Sequence, residues 1–312
     1  MVSLPPPPTP TLSAIYADYE ARQGDGFRDH LGASIIGKSC ARALWYDFRW
    51  ATAVRHSGRL LRLFETGQLE EDRLVRNLRA TGATVLDVDP ETGRQFRVIA
   101  HGGHFGGSLD ALAYGLREAP KTWHVVEFKT HAAKSFAELT AKGVVVAKPQ
   151  HMAQMQIYMH LMGLTRALYM AVCKNTDALH IERIDADPTE AQRLLDKAER
   201  IIFAQHPPAR ISEDPAWFEC RFCTHHAVCH EGAAAAVNCR TCLHSTPVEG
   251  GWHCVRHDRA LDAAMQRVGC SKHLFIPDLV PGEVTDAGDD VVVYRLKDGT
   301  TWVNDARTRE DQ

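Results

Sequence analysis

Three side chains between Gly107 and Lys129 have the types and spacing that metal-assisted hydrolysis requires. Asp110 follows the run Gly106-Gly107-Ser108-Leu109, and Glu127-Phe128-Lys129 closes an apolar stretch, Trp123-His124-Val125-Val126. In an extended strand alternate side chains share a face, so Glu127 and Lys129 project together. Two carboxylates can hold a hard cation such as magnesium through oxygen. Such a cation polarises a phosphoryl group and lowers the pKa of water. An ammonium beside it can orient that water or offset charge developing on the phosphate. The chemistry within reach is scission of a phosphodiester. The bland alternative, a Glu127–Lys129 ion pair on a wet sheet face, fits poorly with the apolar run that leads into it.

Two helical segments offer further groups. In Leu60–Ala80, Glu71 shares a face with Leu74, Val75 and Leu78 at helical spacing, whereas Glu70 points elsewhere. A glutamate on a buried stripe must be paired or coordinate something, so Glu71 is a candidate third carboxylate unless it sits solvated at the edge of the stripe. After Pro149, Gln154 and Tyr158 lie four apart and therefore on one helix face. Each has a polar end that could reach a phosphate or support a metal site, although Tyr158 alone reads equally well as a core aromatic.

In this order, Gly107-x-x-Asp110, Glu127-Phe128-Lys129 and Gln154-x-x-x-Tyr158 resemble the PD-(D/E)XK nucleases, within them the RecB-like and lambda-exonuclease-like branch that includes CRISPR-associated exonucleases. The similarity covers roughly residues 34 to 230. Leu109 stands where the family usually has proline, and Glu71 lies where many RecB-like members place a histidine. Carried over residue by residue, the resemblance implies that Asp110 and Glu127 bind Mg²⁺ or Mn²⁺, with the Phe128 carbonyl as a further ligand. It assigns Lys129 to the attacking water, Glu71 to the metal shell, and Gln154 and Tyr158 to substrate or active-site geometry.

The nine cysteines are unevenly placed. Cys40 and Cys173 stand alone; the other seven fall between Cys220 and Cys270. Such clustering in a chain without a secretory signal speaks for metal rather than disulfides. Cys220-x2-Cys223-x5-Cys229 is a strong ligand spacing that lacks a fourth thiolate. RecB-like nucleases with an iron–sulfur cluster place one cysteine before the core and three after it, so the resemblance implies a 4Fe–4S cluster on Cys40, Cys220, Cys223 and Cys229. Zinc on the same thiolates is the alternative. A cluster there would close a very long loop and act as a staple. A second set, Cys239-x2-Cys242 followed by Cys254 and Cys270, reads as a small tetrahedral zinc site, with His257 competing for the fourth position. Cys173 reads as core, and His101, His104, His131 and His151 receive no catalytic role.

The elements that must position these groups are helices over Ala33–Trp50, Leu60–Ala80, Pro149 to about Gly163 and Pro188 to about Gln205. Strands are expected over Thr84–Val88, Gln95–Ala100, Ser108–Tyr114, Trp123–Thr130, Ala167–Lys174 and Leu179–Ile184. This is an α/β core, a central mixed sheet flanked by helices, with a C-terminal cysteine-rich metal module. The division expected is residues 1–30 as a flexible arm and short helix, 31–232 as the core closed by the iron–sulfur cluster, 233–275 as the zinc module, and 276–312 as a hairpin and tail. The hairpin is signalled by Asp298-Gly299 between Val291–Leu296 and Thr300–Asn304.

At 312 residues the chain can bury a sizeable core plus an accessory module. Its net charge of -3 argues against a general basic coat but allows a local basic groove, for which Arg42, Arg49, Arg55, Arg59 and Arg62 are candidates. No apolar run is long enough for a membrane, and the proline-rich start lacks the features of a secretory signal, so a cytoplasmic location is expected. The function expected is a metal-dependent DNA exonuclease in recombination or end processing. Its substrate would be single-stranded DNA or duplex ends, and it could work as a homo-oligomer or with a recombination partner. The rival is a non-catalytic DNA-binding or redox-sensing metalloprotein.

Overall fold

A computed structural model describes residues 9–306. The arm expected at Met1–Pro10 and the end of the expected tail therefore fall largely outside the described residues. Helix α1 (Pro10–Ala21) starts on a proline, whose missing N–H costs nothing in a first turn. It packs on α3, and a Cβ at Gly58 would lie 2.4 Å from the Tyr16 carbonyl oxygen, so only glycine allows this approach. A short β1 (Leu31–Gly32), a 3₁₀ turn, α2 (Ala41–Phe48) and α3 (Gly58–Ala80) follow.

The single helix expected over Ala33–Trp50 is broken. Ala33–Ile35 makes one 3₁₀ turn, and the chain opens before Cys40, which stands at the start of α2. The break has a packing cause: a Cβ on Gly37 would come 2.7 Å from Gln150 Cα, so the backbone here presses directly on the helix after Pro149.

The strands are β2 (Thr84–Leu86), β3 (Arg97–Ala100), β4 (Phe105–Ser108), β5 (Ala111–Tyr114) and β6 (His124–His131). Helices α4 (Ala133–Ala147) and α5 (Pro149–Met162) then lead to β7 (Arg166–Cys173), β8 (Leu179–Asp185) and α6 (Pro188–Ile202). Five strands form a mixed sheet in the order β2-β5-β6-β7-β8, with only β6 and β7 parallel. One face carries Val126, Phe128, Leu168 and Met170 against Leu74, Val75 and Leu78 of α3. The other carries Val125, Ala167 and Tyr169 in the cluster that holds Met155, Tyr158 and Met159 of α5 and Leu194 and Ile201 of α6.

The strand expected over Ser108–Tyr114 is two strands in two sheets. β4 belongs to a small sheet in the order β1-β4-β3, whereas β5 belongs to the central sheet. The sheets part at Leu109–Asp110, so Asp110 stands in a fork.

Beyond α7 (Phe218–Arg221) lie an antiparallel sheet of β9 (Ser245–Val248), β10 (Gly251–Cys254) and β11 (Arg259–Leu261), and then α8 (Ala263–Val268). A last sheet joins β12 (Gly282–Gly288), β13 (Val291–Leu296) and β14 (Thr301–Asp305). The Asp298-Gly299 turn links β13 to β14, with Leu296 N donating to Thr300 O at 2.8 Å and Gly299 at φ +84. β12, unread in the sequence, completes that sheet. Trp252, Cys254, Leu261 and Phe275 belong to the same apolar cluster as Leu44 and Phe48. No helix among the described residues is long and apolar enough to cross a membrane.

Candidate active site at the sheet fork

Asp110 lies one residue beyond the last registered β5–β6 pair, Ala111 with Val126. Where β5 has left the ladder, the Asp110 carboxylate takes over as acceptor, and Phe128 N donates to it at 2.7 Å. This bond sets Asp110 beside the strand that carries Glu127 and Lys129. Glu127 is 0% exposed, and its Oε1 pairs with the Lys129 ammonium. The ion pair in the bland reading therefore exists, but on a buried stretch of β6 rather than a wet face. The other oxygen, Glu127 Oε2, is buried without a hydrogen-bond partner. An orphaned carboxylate oxygen beside a second carboxylate fits a cation chemically, because a buried anionic oxygen is costly unless something positive meets it.

The electrostatics agree with the crowding. Burial raises Glu127 to about 8, the Lys129 ammonium opposing the rise and Asp110 adding to it. Burial, then the charge of Asp110, raises Glu71 to about 7. Asp110 is likewise raised by burial. Desolvation pulls Lys129 down, but Glu127 and Asp110 beside it hold its ammonium above the ordinary range. Acids and base thus sit in one another's field. Glu71 comes from α3, which crosses the end of β6 where Gly67 approaches Thr130. Glu70 instead pairs with Arg73.

From α5, Gln154 Nε2 donates to Tyr158 Oη at 3.2 Å, and Tyr158 Oη donates to the Ser108 carbonyl at 2.9 Å. The tyrosine hydroxyl packs directly over Gly107, where a Cβ would lie 2.5 Å away. Pattern reasoning missed a third group. Tyr169, the registered β7 neighbour of Glu127, has its hydroxyl 2.9 Å from both His131 Nε2 and His151 Nδ1, and His131 Nδ1 lies 3.0 Å from Ser135 Oγ. Burial, then nearby lysines including Lys129, lowers His131 to about 4 and His151 to about 3. The signal was there to read: His131 continues the alternation of Glu127 and Lys129, and His151 precedes Gln154 by one turn.

The cysteines also gather. Cys40, Cys220, Cys223 and Cys229 line one small cavity. Burial, then the Cys40 and Cys229 thiols, raises Cys220. Burial, then Cys270, Cys242 and Cys254, raises Cys239 to about 11, and Cys270 Sγ lies 3.8 Å from His257 Nε2. Two four-cysteine sets separated in sequence are therefore each brought together. Soft thiolate donors in such sets suit zinc or iron–sulfur chemistry. Even so, no three His, Cys, Asp or Glu side chains among the described residues stand as a ready ion cage. In both cysteine sets and at the carboxylates, holding a group would require side-chain adjustment. Of the arginines considered for a basic groove, Arg49 is buried on the carbonyls of Arg240, Ser245 and Ala204, and cannot reach a ligand.

The model of the PD-(D/E)XK nuclease superfamily matches residues 29–230, the span that holds all the carboxylate, lysine, glutamine and tyrosine groups above. The chain belongs to the PD-(D/E)XK nuclease superfamily. Among curated proteins none matches its sequence. Solved structures offer looser likenesses for this superfamily member. A protein named SSO0001 is 17% identical over 70% of this chain and 93% of its own, at TM-score 0.41. LHK-Exo, an alkaline exonuclease from Laribacter hongkongensis solved with dAMP, is 16% identical over 61% and 90%, at 0.37. A phage-related exonuclease from Haemophilus somnus 129PT is 13% identical over 44% and 68%, at 0.32.

Proposed function

We propose that this superfamily member is a Mg²⁺- or Mn²⁺-dependent deoxyribonuclease of the RecB-like branch that trims DNA from its ends. The observation that carries the reading is the orphaned, buried Glu127 Oε2, on a carboxylate that feels the charges of both Asp110 and Lys129 at the fork of two sheets. Asp110, Glu127 and the Phe128 carbonyl would hold the cation, with Glu71 reaching over from α3. When bound, that ion polarises the phosphate and lowers the pKa of water. Lys129 holds a proton on Nζ, and can orient the attacking water or offset charge on the phosphate. Gln154 fixes Tyr158, whose hydroxyl steadies the Ser108–Asp110 turn and so aims the aspartate.

The cysteine sets complete the reading. A 4Fe–4S cluster on Cys40, Cys220, Cys223 and Cys229 would tie the start of α2 to the segment after α6. Zinc on Cys239, Cys242, Cys254 and Cys270, with His257 as the alternative fourth ligand, would staple the C-terminal segment. The division at residues 31–232, 233–275 and 276–312, a place in recombination, and self-assembly or a recombination partner belong to the same proposal.

The test is release of nucleotides from end-labelled linear DNA with Mg²⁺ or Mn²⁺. Wild type should digest from the end, and Lys129→Ala should lose about 10²–10³ in rate. Equal, slow release by both proteins would remove the reading, as would DNA binding without cleavage. Iron and zinc content of anaerobically purified protein decides the cysteine sets.

A further inference from the structure

A groove opens beside Tyr158, along the Gly106–Ser108 backbone that leads to Asp110. One wall is the segment Arg28–Ser34; the other is Arg97 of β3 with the backbone of Gly106–Ser108; Gln154 and Tyr158 close its inner end. Its volume is about 510 Å³, within the ~300–1,000 Å³ of ligand clefts. Its floor is bare main chain, because any side chain at Gly107 would strike the Tyr158 hydroxyl.

The charge of the groove differs from that of the whole chain. Arg28 and Arg97 are exposed, and among the described residues neither forms an ion pair with a carboxylate. The one acid on that wall, Asp29, is engaged elsewhere. Its carboxylate takes a hydrogen bond from Arg267 Nη2 at 2.9 Å, and its carbonyl takes one from Arg240 Nη2 at 2.8 Å. Two guanidinium groups therefore face the groove with no anion from the protein.

The wall is also held rigidly. Trp50 Nε1 donates to the Arg28 carbonyl at 2.7 Å, and Phe27 stacks on Trp50 with ring centroids 5.0 Å apart. Arg267 Nε donates to Asp25 at 2.6 Å, and Leu31 N to the His104 carbonyl at 2.8 Å. Arg240 and Arg267 both come from the cysteine-rich segment after residue 238. A site fixed by so many bonds keeps its shape before any ligand arrives, which lowers the ordering cost of binding.

We propose that this groove carries the nucleic-acid strand to one side of the scissile phosphate, with Arg28 and Arg97 each on a phosphate oxygen and the cysteine-rich segment holding the wall that presents them. The inference rests on the nuclease reading for the position of the scissile bond. Its chemistry is independent of that reading: two guanidinium groups converge on a channel whose bare floor admits a sugar–phosphate backbone.

The test is fluorescence anisotropy of a dye-labelled single-stranded oligodeoxynucleotide without added Mg²⁺ or Mn²⁺ and without chelator, measured over a range of salt concentrations. Wild type should bind, and Arg28→Ala with Arg97→Ala should weaken binding about tenfold. The double variant should also flatten the slope of log affinity against log salt by about 1.4, or about 0.7 for each phosphate that is no longer neutralised. Arg28→Lys with Arg97→Lys, which keeps both charges, should restore most of the slope. Circular dichroism of the variants should match wild type, since both arginines are exposed. No binding by wild type, or an unchanged slope in the double alanine variant, overturns the proposal. The two readings fail separately. A protein that binds through these arginines yet cuts nothing keeps the groove and loses the nuclease; one that cuts with an unchanged slope does the reverse.

Discussion

At the scale of single residues, Glu71 and Lys129 should fail differently. Glu71 comes from another element and is only half-buried, so it can support a cation without being its principal ligand. Glu71→Gln should raise the Mg²⁺ concentration for half-maximal cleavage about 10- to 100-fold and recover most of its rate when metal is abundant. Lys129→Ala should not be rescued by metal. A Glu71→Gln variant that titrates with Mg²⁺ as wild type does would place Glu71 off the metal. The buried histidines make a separate prediction about stability. His131 and His151 are held near 4 and 3, far below the ~6.5 of an unfolded chain. Between those limits the unfolded state binds more protons, so stability rises with pH across the window and falls as the solution is acidified from about 6.5. From pH 7 to 5 the loss should be on the order of 2 kcal/mol for each of the two histidines. Urea midpoints against pH would show it, and His151→Asn should flatten the curve; a curve as steep as wild type would assign the acid sensitivity to other groups.

At the scale of elements, the fork depends on how closely α5 approaches β4. Gly107→Ala puts a methyl group 2.5 Å from Tyr158 Oη, and the hydroxyl cannot retreat without leaving Ser108 and Gln154. The expected cost is about 1–3 kcal/mol in urea unfolding, with a fall in cleavage rate because the turn into Asp110 shifts. Loss of stability with unchanged cleavage would show that Tyr158 does not aim the aspartate. This juncture also marks where the sequence stops being legible. The face of α3 can be read from its period, and Glu127 and Lys129 from alternation, because those signals are local; α5 is buried all round from Ala153 to Met159, so Gln154 and Tyr158 are linked only by their spacing of four. The split between β4 and β5 leaves no local signal: Ser108 to Tyr114 reads as one strand through Asp110, and only the pairing of β4 with β1 and β3 divides it. α4 escaped notice because its buried positions are few and Gly143, at φ +72, breaks the period. Arg28 and Arg97 are far apart in sequence, and no spacing rule connects them. The cysteine spacings are visible in the chain; which thiols meet is decided by tertiary packing.

For the molecule as a whole, the question is whether the cysteine-rich segment is an appendage or part of the core, and Arg240 is the residue that tests it. It lies between Cys239 and Cys242, is buried, and places its guanidinium 3.7 Å from the Trp50 ring centroid and 4.7 Å from that of Trp252. It donates to the carbonyls of Phe48 and Asp29 and to Gln266 Oε1. Burial lowers it to about 9, so at neutral pH it remains a cation whose compensation comes from carbonyl dipoles and ring faces. Removing it leaves two main-chain carbonyls without a donor and opens a space among large rings. Arg240→Ala should therefore cost about 3 kcal/mol or more. In a chain of this length that is roughly 5 °C in Tm. Because the apolar cluster runs from Phe48 through Trp252 to Phe275, the loss should appear in one cooperative transition. Far-UV circular dichroism and tryptophan fluorescence should then shift together. If fluorescence moved alone and left a second, unshifted transition, the segment after residue 232 would fold as a separate unit, and the groove wall it braces would have to hold its shape without it.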